Sequence, residues 1–165
     1  MTIIKTADIV DLHDEKVVFC HMPLRLYGGR RGFHGHVATL KTFEDNALLR
    51  HYLEQPGKGK VLVVDGGSST RVALVGDKFA EIARDNGWAG LVLNAAIRDV
   101  AEINAMDFGI LALGSSPKKS SKASTGAVDV PISFGGVCFK PGHYLYADED
   151  GLLVAESPVH QTDAT

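Results

Sequence analysis

Asp77 is followed by twenty residues and then by the pair Arg98-Asp99, within the segment VGDKFAEIARDNGWAGLVLNAAIRD. Two carboxylates and a guanidinium are residue types that can hold a divalent cation and an anionic substrate together. The spacing says how they could meet. Asp77 opens a stretch in which Phe79, Ile82 and Ala83 recur at helical intervals, and Arg98-Asp99 closes the strand-like apolar run that follows. A strand-helix-strand unit returns the helix start and the end of the next strand to one edge of a sheet. That edge is where open α/β folds bind ligands. The residues alone also allow a plainer reading, in which Asp77 caps a helix, Arg98 pairs with any carboxylate and Asp99 caps the next helix.

Other chemistry finds weaker support. The segment VLVVDGGSSTR, residues 61–71, superficially resembles the first motif of methyltransferases. It lacks the third glycine, and no acidic residue lies about 20 positions on, at the end of a second strand, to receive a ribose. A tight strand-to-turn corner, or backbone brought close to a ligand, explains the glycines equally well. His34 and His36 alternate by two and could share a strand face as a metal pair, although loop and surface roles are commoner. No HExxH, HxxxH or GxSxG pattern occurs, and no serine or cysteine nucleophile has an evident partner. Asp148-Glu149-Asp150-Gly151 is too short for a calcium loop and reads as a hairpin turn.

Length and composition set the frame. The chain has 165 residues, which is enough for one domain, 1–165, with a real core. Its net charge of −3 and pI of about 6.1 provide no basic field, so nucleic acid is not an expected direct partner. No apolar run approaches the roughly 20 residues of a membrane span, and the N-terminus has no signal-peptide core. A cytoplasmic protein is expected, with Cys20 and Cys138 reduced and buried as apolar residues.

Strand signals fall at residues 36–41, 60–64, 90–94, 109–113, 128–133, 136–140, 144–147 and 152–155. Helix signals fall at residues 7–13, 45–54, 77–86 and 99–104. The middle of the chain is therefore βαβαβ, and the final third is mostly β. The serine- and lysine-rich segment SSPKKSSKASTG, residues 115–126, reads as a solvated loop or as a mobile cationic flap beside an anionic substrate. The polar tail, residues 157–165, is expected to fray.

The segments RGFHGHVATLKTFEDNALL, GKGKVLVVDGGSSTRVALVGD, GWAGLVLNAAIRD and FGGVCFKPGHYLYADEDGLLV together resemble the RraA-like family. That family contains 4-hydroxy-4-methyl-2-oxoglutarate aldolases and the protein regulator of ribonuclease E activity. The likeness runs from about residue 5 to 157. The Asp-x20-Arg-Asp signature typical of the aldolase members is intact as Asp77, Arg98 and Asp99. The resemblance implies a compact α/β/β sandwich resembling the swivelling phosphohistidine domain, assembled as a trimer or a dimer of trimers with the active site between subunits. The longer aldolases carry a C-terminal extension that reaches the neighbouring site, and this chain stops short of it.

The same resemblance implies a mechanism and a residue for each role. A 4-hydroxy-2-oxo acid is cleaved to pyruvate through an enolate, and oxaloacetate is decarboxylated through the same species. Asp99 is the expected ligand of a divalent metal, magnesium or manganese, which suits one carboxylate plus water and substrate oxygens. Arg98 places its fork beside the keto and carboxylate oxygens. Backbone amides from Gly76 through Asp77 and Lys78 to Phe79 receive the substrate carboxylate at a helix N-terminus. Asp77 orients or deprotonates a metal-bound water. The rival reading is a binding module that inhibits ribonuclease E through its surface.

Overall fold

Two segments of this chain, residues 61–64 and 90–97, are apolar on both faces apart from Asn94, so each must lie inside a sheet that is covered twice. The computed structural model, which describes residues 2–161, places them there. The chain begins with α1 (Thr6–His13), a 3-10 turn (Asp14–Lys16), β1 (Val17–Phe19), β2 (Arg25–Tyr27) and β3 (Gly32–Lys41). It continues through α2 (Ala47–Leu53), β4 (Val61–Asp65), β5 (Ala73–Val75), α3 (Asp77–Asp85), β6 (Gly90–Ile97), α4 (Val100–Asn104) and β7 (Ile110–Ser115). It ends with β8 (Ala127–Val128), β9 (Ile132–Phe134), β10 (Val137–Phe139), β11 (Tyr144–Asp148) and β12 (Gly151–Ala155).

These strands form a mixed sheet in the order β1-β12-β11-β3-β4-β6-β7-β2, with β5 added beside β6 and β8 beside β3. β3, β4, β6 and β7 run parallel, each one place further along. Crossovers of one hand then put α2, α3 and α4 on the same face. There Leu49, Leu53, Phe79, Ala80, Ala83 and Ile103 pack on Leu62, Val64, Leu91 and Leu93. The intervening residues Val61, Val63 and Val92 point the other way, as strand alternation requires. They meet Phe134 and Phe139 of the β9-β10 hairpin and Leu145 and Val154 of the antiparallel strands. The fold is thus the expected α/β class, with helices on one face of the sheet and a second β layer on the other.

Several expectations need correction. β1, β2 and β5 carry no strand signal strong enough to stand out, being three residues each. The run 128–133 is two strands, because Asp129 turns the chain at a φ of 59°. Cys20 is half-buried and Cys138 is exposed, so neither is the buried apolar residue expected. Residues 157–160 do not fray: the Val159 amide donates to the Tyr146 hydroxyl at 2.8 Å. The rest of the predicted frayed tail, residues 162–165, lies outside the described residues. The acidic hairpin turn is as read, with β11 ending at Asp148 and β12 starting at Gly151. No described helix is long and apolar enough to cross a membrane.

Candidate active site

β5 and β6 run parallel, with Val75 opposite Ile97, so the chain leaves both strands side by side. β5 hands over to Gly76 and α3, and β6 hands over to Arg98 and Asp99. The Arg98 amide still donates to the Val75 carbonyl, at 2.9 Å. One step later the pattern becomes side chain to backbone, and the Asp77 amide donates to Asp99 Oδ2 at 3.0 Å. This contact unites the residues that the spacing singled out, across 22 positions of sequence.

The geometry removes one of the plainer roles, Asp99 as side-chain cap of the next helix. The Asp99 backbone is left-handed, with φ 60° and ψ 44°, an uncommon state for a non-glycine residue. It precedes α4, but its side chain does not cap that helix. The carboxylate turns back instead to the N-terminus of α3, where the helix dipole and the free first-turn amides favour negative charge. Gly76 makes the approach possible. A Cβ built there would stand 2.6 Å from Asp99 Oδ2.

Asp77 does not cap α3 in the usual way, since it is the first helical residue. Its Oδ1 accepts the Lys78 amide at 2.8 Å. Burial, and then the hydrogen bond and charge of the neighbouring Asp99, push the Asp77 carboxyl above the usual carboxylate range. Arg98 makes no ion pair among the described residues. Its Nη1 has only a long 3.5 Å contact to the Pro117 carbonyl. Its half-buried guanidinium thus remains largely uncommitted. Of the four amides expected to receive a carboxylate, those of Asp77 and Lys78 already have partners. The Phe79 amide is the first-turn donor for which helix geometry provides none. Lys78 is exposed and Phe79 is buried.

The loop 115–126 is hydrogen-bonded to the sheet edge beside this corner. The Ala73 amide donates to the Lys118 carbonyl at 2.8 Å, and the Ser121 amide to the Glu44 carbonyl at 2.9 Å. Asp45, 2% exposed, accepts from the Ser121 hydroxyl at 2.7 Å, from the Ser124 amide at 3.1 Å and from the Ala123 amide. Burial works against the charge of Asp45, but these hydrogen bonds outweigh it and hold the carboxyl below its usual range. The pinned loop carries Lys122 to 3.4 Å from Asn46 Oδ1 and to 5.7 Å from the centre of the Phe79 ring. Sequence reading missed Asp45 and did not single out Lys122. Their shared signal was faint, a buried acid before α2 and one lysine among several.

The other motifs find structural roles. The Asp65 carboxylate accepts the Gly67 amide and Asn94 Nδ2, both at 3.0 Å, and the Phe43 ring lies against Gly67. That glycine corner is filled rather than open as a cofactor cradle. His34 Nδ1 meets the Tyr144 hydroxyl and His36 Nδ1 the Gly142 carbonyl. Among the described residues, no group of three or more histidine, cysteine, aspartate or glutamate residues could hold a metal. A groove of about 800 Å³ runs between β1, β12 and the β9-β10 hairpin and includes none of the corner residues.

Residues 6–154 match the family model described as RraA-like: Aldolase/RraA. The chain belongs to the RraA-like family. It is 52% identical over 153 residues to a protein of Aromatoleum aromaticum named "Putative 4-hydroxy-4-methyl-2-oxoglutarate aldolase", covering 93% of this chain and 96% of that one. A protein of Pseudomonas syringae pv. tomato with the same name is 49% identical, with 93% and 95% covered. Among solved structures, the RNA-processing inhibitor RraA from Thermus thermophilis superposes with a TM-score of 0.91 at 45% identity, with 99% of both chains covered. A Geobacillus kaustophilus structure titled as an S-adenosylmethionine: 2-dimethylmenaquinone methyltransferase superposes at 0.92 with 49% identity, covering 94% and 97%. Proteins similar to this chain therefore carry three different functional names.

Proposed function

We propose that this RraA-like chain is a divalent-metal-dependent aldolase that cleaves 4-hydroxy-4-methyl-2-oxoglutarate and related 4-hydroxy-2-oxo acids to pyruvate, and that it also decarboxylates oxaloacetate. In this reading it is cytoplasmic and works as a homotrimer, or a dimer of trimers. The observation that carries the proposal is the Asp77 amide on Asp99 Oδ2, beside an arginine without an ion pair among the described residues. A purely structural acid would be spent on the fold. Asp99 instead accepts one backbone amide through Oδ2 and otherwise faces the carboxyl of Asp77, a pair of acids that a cation could hold together.

The donor set fits magnesium or manganese. It consists of carboxylate oxygens, too few to enclose an ion, which suits cations that keep several waters. Asp99 would hold the cation, and Asp77 stands next to it. When bound, such a cation supplies Lewis acidity at the 2-oxo oxygen of the substrate.

The chain's own groups do the rest. The Phe79 amide and the α3 dipole bind the substrate's C1 carboxylate. Arg98 donates from its fork to the 2-oxo oxygen, where negative charge grows as the C3–C4 bond breaks. Asp77 takes the proton of the C4 hydroxyl, directly or through water, so that C4 becomes a carbonyl as the bond's electrons pass to C3. The same proton can return to C3 of the enolate to give pyruvate. Oxaloacetate loses carbon dioxide from C3 by the same electron flow. Lys122 adds positive charge near Phe79, which favours substrates with a second carboxylate.

The test is pyruvate release from either substrate, measured with chelator and then with magnesium or manganese restored. Loss and recovery of turnover support the proposal; full turnover in a metal-free preparation overturns it. The rival reading, inhibition of ribonuclease E, draws its support from the likeness to the Thermus inhibitor. It would need neither carboxylate of the corner. The methyltransferase name has no counterpart in the site, because Asp65 is already bonded and Phe43 fills the glycine corner.

A further inference from the structure

We propose that Asn46 is the positioning residue for Lys122, and that the two together select ligands carrying a second carboxylate at the α3 corner. This role rests on the aldolase reading, in which the first carboxylate of a 2-oxo acid sits on α3. Asn46 stands where α2 begins, and asparagine is favoured there because its side chain can accept a first-turn amide. Here it forms no such cap, and the Ala47 amide donates to Asp45 Oδ1 at 3.3 Å instead. The Asn46 side chain, 8% exposed, is spent elsewhere. Its Nδ2 donates to the Leu74 carbonyl of β5 at 3.0 Å. Its backbone amide donates to the Ser121 carbonyl at 3.1 Å.

These bonds fix which way the carboxamide faces. It has a donor end and an acceptor end. With the donor end on a carbonyl, the oxygen is left for a donor, and the group it meets is the Lys122 ammonium, at 3.4 Å. That distance is long for a hydrogen bond and the acceptor is neutral, so the contact points the ammonium without neutralising it. The Phe79 ring is a second guide, with its centre 5.7 Å from Nζ and within cation–π range. Lys122 makes no ion pair among the described residues. An ammonium has three donors, so most of its capacity stays open to an anion.

The loop that carries Lys122 runs parallel to β5 through the Ala73–Lys119 bridge, and β5 leads into Gly76 and α3. Loop and strand therefore head for the same helix start, and Phe79 lies in its first turn. A ligand whose first carboxylate sits on the α3 amides has Lys122 beside it for a second. A free surface lysine spreads its charge over many rotamers. One already guided by Asn46 and Phe79 loses less freedom when the anion arrives, which is how a positioning residue strengthens binding.

Two non-reacting probes that differ at the far end test this. 2-Oxoglutarate has a second carboxylate where 2-oxopentanoate has a methyl group. Calorimetric titration of the full chain with magnesium present should find 2-oxoglutarate bound about two- to fivefold more tightly. Asn46→Ala and Lys122→Gln should each remove that preference, and the double variant should lose nothing more. Asn46→Asp keeps the size and sets a charge on the ammonium, so it should remove the preference too, and it serves where Asn46→Ala does not fold. Added salt should shrink the preference of the parent. A residue that merely joins β5, α2 and the loop would weaken both probes equally. Equal weakening, additive losses, or a preference kept in a folded Asn46 variant would each overturn the inference. Binding is read without turnover, so the two readings fail separately. A parent with the preference but no pyruvate release overturns the aldolase reading alone, and turnover without the preference overturns this one alone.

Discussion

The corner of β5, α3 and β6 and the anchor of the 115–126 loop both use a carboxylate to hold backbone at the same edge of the sheet. Asp99 is half-buried, and its carboxylate meets the Asp77 amide and the Asp77 carboxyl beside it. Asp45 is almost fully buried and accepts from Ser121, Ala123, Ser124 and, at 3.3 Å, Ala47. A carboxylate has about four lone-pair sites to fill. Asp45 spends them on the fold, and Asp99 does not. The contrast separates an acid saturated by the fold from one that keeps acceptor capacity beside an uncommitted cation, and the proposed function rests on the second. It also divides the variants below into those that remove chemistry and those that remove support.

The sharpest way to break the comparison is Asp99→Ala. It should reduce aldol cleavage and oxaloacetate decarboxylation alike to background, because both need the same enolate. Oligomer size by light scattering should not change, since the described partners of this side chain are confined to Asp77. Any ribonuclease E inhibition should survive, measured in parallel. A correctly assembled variant that still released pyruvate at the parent rate would show that Asp99 is not the metal ligand. Loss of ribonuclease E inhibition alone would favour the regulator.

Arg98→Lys comes next. It keeps the charge and loses the planar fork, so kcat should fall by roughly 100-fold, the scale of one oxyanion donor. A change confined to KM would assign Arg98 to uniform substrate binding instead. Gly76→Ala probes the same corner from the backbone side. A methyl group 2.6 Å from Asp99 Oδ2 must displace that carboxylate. The magnesium concentration for half-maximal activity should rise by roughly tenfold, on the scale seen when the supports of metal ligands are lost. An unchanged value would mean that the Asp77–Asp99 contact does not orient the metal ligand.

What could be read in the sequence follows the same division. The Asp77/Arg98/Asp99 corner was legible because one βαβ unit builds it: local periodicity gave the helix and the strand, and parallel pairing does the rest. The long strands of the sheet interior were legible because burial on both faces leaves an apolar run, as in 61–64 and 90–93. The three-residue strands β1, β2 and β5 were not, since so short a run has no period. The anchor at Asp45 was invisible because its partners lie 76 to 79 residues away. The early start of β3 was hidden by Gly32 and Gly35. The docked strap was missed because a polar tail gives no sign that Tyr146 awaits two amides and an imidazole.

On the support side, Asp45→Asn should cost about 2 kcal/mol of stability, because the new amide turns a donor toward donors that served a charge. The pH dependence gives a second check. The folded pKa of Asp45 is lowered, so its contribution is full above the unfolded value, near 4, and fades as pH falls through the folded one. The gap between parent and variant should therefore narrow in acid, measured by denaturant titration at several pH values. A gap that widened in acid would contradict the saturated-anchor account.

The smallest effect tests whether the anchored loop reaches the chemistry at all. Lys122 is exposed, and its ammonium is placed by Asn46 and the Phe79 ring, not by any described carboxylate. An exposed charge of this kind is worth about 1 kcal/mol or less toward a partner anion, which is about fivefold at most. Lys122→Gln should therefore raise KM for a substrate with two carboxylates by about two- to fivefold, with kcat nearly unchanged. The increase should shrink as salt is added, because the ammonium is open to screening. Cleavage of a 4-hydroxy-2-oxo acid with a single carboxylate should be unaffected. If both substrates suffered equally, Lys122 would be supporting the fold of the loop, and the loop would belong wholly with Asp45 on the structural side. If only kcat fell, Lys122 would instead stand close enough to the reacting atoms to join Arg98 in stabilising charge.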